Sequence, residues 1–264
     1  MPRTTDDWDT HWNAHAAMNA LNPAQTYRQK LLLGALALRS AKAPPRLIEL
    51  GSGSGEFARV VLAERNDTEF VGLDLSHVGV ELSRKKVPRA TFFQQDFAEP
   101  IALDDRYRGW ATHAVCSEAI EHLDDPVSML RNARPFFSPG CRLVVTVPAG
   151  PMAAFDRHIG HRRHYSPIAL RRTLEEAGLR VDDLRGAGFP FFNLYRLTVI
   201  ARGKRLIADV ADQDATTLSF GARAAIRTFS LLFHFNTSKT TLGWQLISVA
   251  VEPAHAGALE SVAS

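Results

Sequence analysis

Short apolar runs alternate with longer amphipathic stretches between residues 46 and 147. Short runs rich in Val, Ile, Leu and Phe are typical of buried strands, whereas apolar positions spaced three and four apart indicate helices. The pattern predicts strands at 46–50, 69–74, 91–95, 111–117 and 141–147, and helices at 55–65, 78–86 and 126–137. The last of these helices is expected to stop at 138–140 (Ser-Pro-Gly). Strands and helices that alternate in this way are typical of a parallel sheet covered by helices.

Further elements follow this core. Ser166 and Pro167 form a helix start, and Gly178 ends that helix. A sixth strand is expected at 180–184 and an antiparallel seventh at 244–251, with amphipathic helices at 193–210 and 221–235 between them. The predicted fold is therefore α/β, a Rossmann-like doubly wound seven-stranded sheet that is mostly parallel with an antiparallel last strand. It carries a helical N-terminal segment and a helical insertion before the last strand.

The length of 264 residues suits one domain with an elaboration. Pro44 and Pro45 are expected to end the helical N-terminal segment, which we interpret as a lid over the sheet. The predicted division is 1–45 for this segment, 46–187 for the core, 188–243 for the insertion as a candidate acceptor-site cap, 244–252 for the final strand and 253–264 for a flexible tail.

Composition and charge bear on the partners of the chain and on its cellular compartment. The 31 basic and 28 acidic residues give a formal charge of +3, which favours neither nucleic acid nor membrane as a partner. Cys116 and Cys141 lie in apolar runs, as buried thiols of a reducing compartment do. The start of the chain lacks the features of a secretion signal, and the apolar stretch at 189–201 is shorter than the ~20 residues of a membrane span. A cytoplasmic location is expected.

Candidate ligand-binding motifs follow the first four strands. The run 49–55 reads Glu-Leu-Gly-Ser-Gly-Ser-Gly, and its glycines permit a tight turn and a close approach to a ligand. Asp74 ends the second strand, 95–97 (Gln-Asp-Phe) ends the third, and 117–123 (Ser-Glu-Ala-Ile-Glu-His-Leu) ends the fourth. Each motif alone is equally explained by a turn, a helix cap or a loop acid. Together they lie at the carboxyl edge of the sheet, where α/β proteins bind ligands.

In this order the motifs resemble those of the class I S-adenosylmethionine-dependent methyltransferases of small-molecule type, over residues 46–178. The resemblance implies S-adenosylmethionine as cofactor and S-adenosylhomocysteine as product. It implies glycines at the methionine end, Asp74 on the ribose, Asp96 and Phe97 beside the adenine, and Glu118 beneath the sulfonium. The expected cofactor-binding residues are Glu49, Gly51, Ser52, Gly53, Gly55, Asp74, Leu75, Asp96, Phe97, Glu118 and His122.

A basic loop at 156–167 follows the fifth strand. Within it, 160–165 (Gly-His-Arg-Arg-His-Tyr) is similar to the Gly-His-x-Arg-Arg-Tyr stretch of a bacterial methyltransferase subgroup, with His164 in place of one arginine. Histidine exchanges protons near neutral pH, and arginine binds carboxylate or phosphate. His161 is the first candidate for a general base, followed by His158, His164 and His122. The candidate acceptor-binding residues are Arg157, Arg162, Arg163, Tyr165, Phe191 and Tyr195. A solvated loop paired with Asp156 and anchored by Tyr165 is the competing interpretation.

The resulting hypothesis is methyl transfer to a hydroxyl of a small natural-product, sugar or lipid-linked acceptor by in-line displacement. The arginines of the basic loop allow that acceptor to be anionic. The alternatives are a noncatalytic cofactor-binding or partner-binding module, and methylation at nitrogen or carbon. The glycine spacing disfavours a nicotinamide oxidoreductase, and the lack of an Asn-Pro-Pro-Tyr-like loop disfavours nucleic-acid methylation. No metal is expected, because no carboxylate or cysteine cluster accompanies the histidines in the sequence.

Some expectations concern the periphery. His11 and His15 on the N-terminal segment are within possible reach of the site, although surface positions are commoner for such residues. The aromatic residues of the insertion either line an acceptor pocket or form core. Lys204, Arg205, Arg223 and Arg227 permit at most a peripheral contact with an anionic membrane. A homodimer is left open.

Overall fold

The computed structural model describes residues 8–10, 12, 22–212 and 220–254. Its strands are β1 Arg46–Leu50, β2 Glu69–Asp74, β3 Thr91–Gln94, β4 Ala111–Ser117, β5 Phe137–Pro148, β6 Arg180–Ala187 and β7 Gln245–Val251. They form one seven-stranded sheet in the order β3-β2-β1-β4-β5-β7-β6. The first five strands pair in parallel, whereas β7 is antiparallel to both β5 and β6. The predicted Rossmann-like fold with an antiparallel last strand is confirmed.

Helices cover the sheet, and several begin at a side chain that accepts a hydrogen bond from the first turn. The described α-helices are α1 Pro23–Leu36, α2 Glu56–Glu64, α3 His77–Lys86, α4 Pro126–Ala133, α5 Ala154–His158, α6 Pro167–Glu176, α7 Phe191–Asp212 and α8 Phe220–Leu232. Asn22 caps α1, Ser76 caps α3 and Ser166 caps α6, each satisfying an otherwise unpaired backbone N–H group. Among the described helices, none combines the length and the hydrophobicity needed to cross a lipid bilayer.

The apolar core lies on both faces of the sheet because successive side chains of a strand point to opposite faces. In β1, Leu47 packs on one face with helices α1 and α2, whereas Ile48 and Leu50 pack on the other face with helices α4 and α6. All three side chains are at most 1% exposed. Both faces of the central strands are therefore buried, which fixes the ends of β1, β2 and β4 relative to one another.

The fifth strand differs from its prediction. Helix α4 ends at Ala133 rather than 137, a 3₁₀ turn follows, and β5 already begins at Phe137. The Ser-Pro-Gly sequence at 138–140, interpreted as a helix stop, lies inside β5. There Ser138 donates through Oγ to the carbonyl of Ala111, and the Gly140 N–H donates to the carbonyl of Glu252. The predicted boundary is wrong because long-range pairing stabilises an extended segment that local turn preference does not reveal.

The N-terminal helix and the insertion also differ in detail. Helix α1 ends at Leu36 because Ala37 adopts a left-handed conformation (φ 53°), well before Pro44 and Pro45. Helix α7 is interrupted at Gly203, whose φ of 41° and ψ of −118° are not helical. Helices α7 and α8 contact each other, and α8 contacts α1. The predicted division of the chain into segments stays a prediction; His11 and His15, and the side chains of Lys204 and Arg205, lie outside the described residues.

Candidate active site

A cavity of about 390 Å³ opens at the carboxyl ends of β1, β2 and β4. The loops after these strands form its floor, helix α1 and the described N-terminal residues Trp8 and Trp12 form one wall, and α7 forms another. These loops lie side by side because the carboxyl ends of parallel strands meet at one edge of the sheet. The cavity therefore lies where the sequence predicted a ligand.

The glycine-rich turn after β1 is held closely against its neighbours. Gly51 has a φ of 86°, and its N–H donates to the carbonyl of Leu73 at 2.8 Å. A Cβ atom added at Gly51 would lie 2.9 Å from the Cβ of Ala119, closer than real Cβ contacts. At Gly53 an added Cβ would lie 2.5 Å from the indole ring of Trp12. The backbone conformation and these contacts both require glycine, so the turn exposes bare backbone to the cavity.

Asp74, at the end of β2, faces this turn. One carboxylate oxygen accepts from the N–H of Gly53 at 2.6 Å, and the other accepts from the N–H of Ser76 at 2.9 Å. The residue is 8% exposed. Burial raises the pKa of Asp74 to about 6, although the two backbone hydrogen bonds lower it. The carboxylate is thus fixed in direction and still lines the cavity, where it can accept hydrogen bonds from a vicinal diol.

Two buried polar atoms beside the glycine turn lack a hydrogen-bond partner among the described residues. They are Oε2 of Glu49 and Oγ of Ser52, on residues that are 3% and 6% exposed. Burial raises the pKa of Glu49 well above its usual range, and the negative charge of Asp74 adds to this increase. Buried polar groups in proteins are normally paired. A polar ligand such as the adenosyl cofactor fits here because its own polar groups can complete these hydrogen bonds.

Most of the predicted cofactor-binding residues line the cavity: Glu49, Gly51, Ser52, Gly53, Asp74, Leu75, Phe97, Glu118 and His122. Gly55 and Asp96 are not among the lining residues. Gly55 packs its backbone against Ser83 of α3, where an added Cβ would have neighbours at 3.0–3.1 Å. Asp96 is exposed, and its carboxylate accepts from the N–H of Ala98. The structure therefore gives both residues roles in shaping the loops.

Glu118, after β4, joins three parts of the fold. Its φ of 52° is rare for a residue other than glycine, and such strain is typical of functional sites. One carboxylate oxygen accepts from the side-chain amide of Gln245 at 2.9 Å, and the other lies 3.7 Å from the guanidinium of Arg28. Sequence reasoning missed Arg28 and Gln245. Each is a polar residue in an otherwise largely apolar element, Arg28 in α1 and Gln245 in β7. Both elements are far from the glycine turn in the sequence, so no motif connects these residues to it.

The basic loop places a histidine pair against the cavity. Nδ1 of His161 lies 3.2 Å from Nε2 of His164, and Nδ1 of His164 lies 3.1 Å from the carbonyl oxygen of Gly150. His161 lines the cavity, whereas His164 lies behind it. Burial lowers the pKa of His161 to about 4, and the nearby carboxylate of Asp156 raises it in part. The His161 ring is therefore neutral at pH 7 and can accept a proton.

Aromatic rings extend this arrangement towards the N-terminal segment. The His161 and His122 rings meet edge to face at 4.7 Å between centroids, and the His122 and Trp8 rings do so at 4.8 Å. Beside them Glu121 is fully buried, and neither carboxylate oxygen has a hydrogen-bond partner among the described residues. Burial raises the pKa of Glu121 well above its usual range, with a further increase from Glu118. The wall between Trp8 and His161 is thus aromatic, and burial favours the neutral forms of His161 and Glu121 there.

The other predicted histidine and arginines lie away from the cavity. His158 and Arg157 are exposed on α5 and do not line it. Arg162 pairs with the carboxylate of Asp124, and Arg163 donates to the carbonyls of Leu123 and Asp124. Arg162 and Arg163 hold the basic loop against the loop after β4. The positive charge that suggested an acceptor site therefore serves a contact between two loops.

The predicted aromatic residues divide between the cavity and the core. Tyr195 lines the cavity, and its neighbour Phe192 does so instead of the predicted Phe191. Phe191 packs against the core, and Tyr165 is buried at 4% exposure with its N–H donating to the carbonyl of Pro148. Helical periodicity could not separate these roles, because the register of α7 against the sheet depends on tertiary packing.

Carboxylates do accompany the histidines in space, contrary to the premise behind the expected absence of a metal. The two groups are Glu121 with His122 and His161, and Asp156 with His161 and His164, each with one potential ligand atom per residue within 4.8 Å. Asp156 already accepts two hydrogen bonds at 2.9 Å from the guanidinium of Arg196, and the raised pKa of Glu121 favours its neutral form. Neither carboxylate is well suited to a cation, and the absence of a metal stays a prediction.

The sheet order, the glycine turn after β1 and the acidic residue after β2 define a Rossmann-like methyltransferase. Residues 24–184, more than half of the chain, match the family described as methyltransferase domain. The chain belongs to this family and is a class I S-adenosylmethionine-dependent methyltransferase.

Individual relatives are more distant. The chain is 27% identical, over 173 residues, to the ubiquinone biosynthesis O-methyltransferase of Aeromonas salmonicida. The match covers 58% of this chain and 70% of that relative. A methyltransferase solved in complex with the Haloferax volcanii Trm112 methyltransferase activator shares the fold with a TM-score of 0.63 and 20% identity, over 94% of this chain and 99% of that one. Geranyl diphosphate C-methyltransferase of Streptomyces coelicolor has a TM-score of 0.55 and 13% identity, over 87% and 79%.

Proposed function

We propose that this methyltransferase acts on a hydroxyl oxygen of a small molecule, with His161 as the proton acceptor. One observation carries the proposal: a half-buried, neutral imidazole, that of His161, lines the same cavity as the glycine turn and Asp74. The likeness to an O-methyltransferase of ubiquinone biosynthesis supports oxygen as the methylated atom.

Each residue around the glycine turn would bind a different part of the cofactor. Asp74 would accept from the ribose hydroxyls, the bare backbone at Gly51 and Gly53 would contact the methionine portion, and Phe97 would pack against the adenine. Arg28 would pair with the cofactor carboxylate, because its contact with Glu118 is loose at 3.7 Å and the residue borders the cavity. When bound, S-adenosylmethionine supplies a methyl carbon with a neutral thioether as its leaving group.

His161 removes the proton that the acceptor hydroxyl must lose. The proton would pass to the imidazole ring, and the electron pair would stay on the hydroxyl oxygen for attack on the methyl carbon that the cofactor would supply. Asp156 then stabilises the imidazolium, because its carboxylate is fully buried and its negative charge raises the pKa of His161. A general base at this position contributes about 10²–10⁴ in rate.

Aromatic side chains set the character of the acceptor. Phe155, Phe192, Tyr195 and Trp244 line the cavity on the side of α5 and α7. The guanidinium of Arg196, on the same side, is already hydrogen-bonded to Asp156. The acceptor side is therefore mainly apolar, which favours a hydroxyl carried on a flat or hydrophobic molecule such as a phenol.

The test is to incubate the purified protein with S-adenosylmethionine labelled in its methyl group and metabolite fractions, and to identify the labelled product. We expect an O-methyl ether whose formation falls at least 10²-fold in His161→Ala. His234→Ala is the control, because that histidine is exposed in the 3₁₀ turn after α8 and does not line the cavity. Label on nitrogen or carbon would contradict oxygen as the methylated atom, and full turnover of His161→Ala at saturating acceptor would rule out the base.

A further inference from the structure

A chain of hydrogen bonds runs through the basic loop behind the cavity wall. It begins at the carbonyl oxygen of Gly150, which lies 3.1 Å from Nδ1 of His164. It continues from Nε2 of His164 to Nδ1 of His161, a distance of 3.2 Å. His164 is secluded behind His161, with its side chain 5% exposed, and its ring is not part of the cavity wall. Both ring nitrogens of His164 are thus engaged.

The chemistry of the first partner fixes the protons along this chain. A carbonyl oxygen can only accept, so Nδ1 of His164 carries a proton and donates it to Gly150. In a neutral imidazole the other nitrogen has a lone pair, so Nε2 of His164 accepts from Nδ1 of His161. Burial lowers the pKa of His164, which keeps that ring neutral at pH 7. In neutral His161, Nδ1 then holds the proton and Nε2 holds the lone pair.

Charged groups around the pair hold it in place. Asp156 accepts from the guanidinium of Arg196 on α7 and from the N–H of Ala153, so its carboxylate cannot rotate away. It lies 3.7 Å from Nε2 of His164. Besides Asp156, two charges act on the pKa of His164: Arg196 lowers it and Glu118 raises it. The groups that face His161 are Asp156, His164, Arg196, Arg28 from α1, the His122 ring and Glu121, whose raised pKa favours its neutral form. Asp156 is the carboxylate among them that favours the protonated form of His161.

We propose that His164 is a positioning residue that holds His161 in the tautomer with its proton on Nδ1, so that Nε2 is the atom that accepts the hydroxyl proton. The proposal rests on the role of His161 in the proposed function. In a free imidazole the two tautomers interconvert, and only one of them presents a lone pair at Nε2. His164 removes this ambiguity without touching the acceptor or the cofactor.

The same geometry gives His164 a second effect at low pH. When Nε2 of His164 is protonated it becomes a donor, and Nδ1 of His161 must then accept from it. Neutral His161 would consequently carry its proton on Nε2, where it can no longer take one from a hydroxyl. Protonation of His164 therefore disables His161 even while His161 itself is neutral.

The experiment is long-range ¹H–¹⁵N correlation NMR on the full chain labelled with [¹⁵N]histidine and saturated with S-adenosylhomocysteine at pH 7.5. This spectrum distinguishes a protonated from an unprotonated ring nitrogen. The His161 signals are assigned by their loss in His161→Gln. We expect wild-type His161 with Nδ1 protonated and Nε2 unprotonated. A proton on Nε2 in the wild type would overturn the proposal, whatever the variants do.

Two variants and a control separate positioning from packing. His164→Phe keeps a ring but removes both nitrogens, and we expect His161 to lose its single tautomer. His164→Gln restores the pattern, because its amide group can donate to Gly150 while its carbonyl oxygen accepts from His161. His234→Phe leaves the His161 signals unchanged. An unchanged His161 tautomer in a His164→Phe protein that still binds S-adenosylhomocysteine would also overturn the proposal.

Kinetics with the identified acceptor provide a second readout. We expect kcat of His164→Phe to fall about 10²-fold with the acceptor KM nearly unchanged, and His164→Gln to recover most of that loss. The proposed function and this inference fail in different ways. Absence of methyl transfer to oxygen would remove the former, whereas the tautomer of His161 is measured without any acceptor.

Discussion

Gly51→Ala tests whether the glycine turn is built for a ligand. Gly51 has a φ of 86°, and an added Cβ would lie 2.9 Å from Ala119, which lines the cavity. Gly140 provides a matched control because its φ is 79° and an added Cβ has no neighbour within 4 Å. Both substitutions force a side chain into the same unfavourable backbone region, but only Gly51→Ala also crowds the cavity floor.

The magnitudes follow from these two contributions. A non-glycine residue in the left-handed region costs about 1–2 kcal/mol, and this term is common to both variants. Overpacking at Ala119 adds about 1–3 kcal/mol for Gly51→Ala alone. Because 1 kcal/mol shifts the melting temperature by about 2–4 °C in a chain of this size, Gly140→Ala should melt a few degrees below wild type and Gly51→Ala about twice as far below it.

The decisive assay is calorimetric titration with S-adenosylhomocysteine. The turn must move away from Ala119 to accommodate the methyl group, so we expect Gly51→Ala to lose at least tenfold in affinity, or about 1.4 kcal/mol. Gly140→Ala should bind as wild type does. Wild-type affinity in Gly51→Ala, together with equal melting temperatures in the two variants, would show that the turn is not part of the cofactor site.

Three further outcomes are expected. The pKa of Asp74 is raised to about 6 in the folded protein, from an ordinary value of 3.8, so the cofactor-free protein should lose stability as the pH rises between these two values. Because the ionised carboxylate is the form that accepts hydrogen bonds, S-adenosylhomocysteine should bind about tenfold more weakly at pH 5 than at pH 7. Asp74→Asn should abolish this dependence of binding on pH. Arg134→Ala leaves the carboxylate of Glu252, whose side chain is 3% exposed, without its two hydrogen bonds of 2.7 Å, at a cost of about 3 kcal/mol in thermal unfolding, whereas Arg172→Ala on exposed helix surface costs under about 1 kcal/mol. Arg28→Ala should weaken S-adenosylhomocysteine binding by calorimetry, about tenfold or more, but leave adenosine binding unchanged if its partner is the cofactor carboxylate.

The fold was largely predictable because the signals that define it are local. Buried apolar runs marked all seven strands, and the glycine turn and Asp74 fell at the ends of β1 and β2. Prediction was wrong at β5, where the segment 138–140 has the composition of a turn but pairs with Ala111 and Glu252. Those partners are distant in sequence, so no local pattern reports them.

The candidate site was predictable only where its residues follow strands. Arg28 and Gln245 reach Glu118 from a helix that precedes the sheet and from its last strand, and neither has a sequence signature. The basic loop shows the converse. Its density of charge indicated an acceptor site, yet Arg162 and Arg163 bind the neighbouring loop, and among its histidines and arginines His161 alone lines the cavity. Residue type suggests chemistry, but packing decides which side chain faces the ligand.

The position of the indole rings has a practical consequence. Trp8, Trp12 and Trp244 border the cavity, and they are three of the four tryptophans in the chain. The intrinsic fluorescence of the unmodified protein should therefore be governed by what occupies this one space. Collections of candidate phenols and other alcohols can accordingly be screened by their emission changes alone, before any product has to be detected.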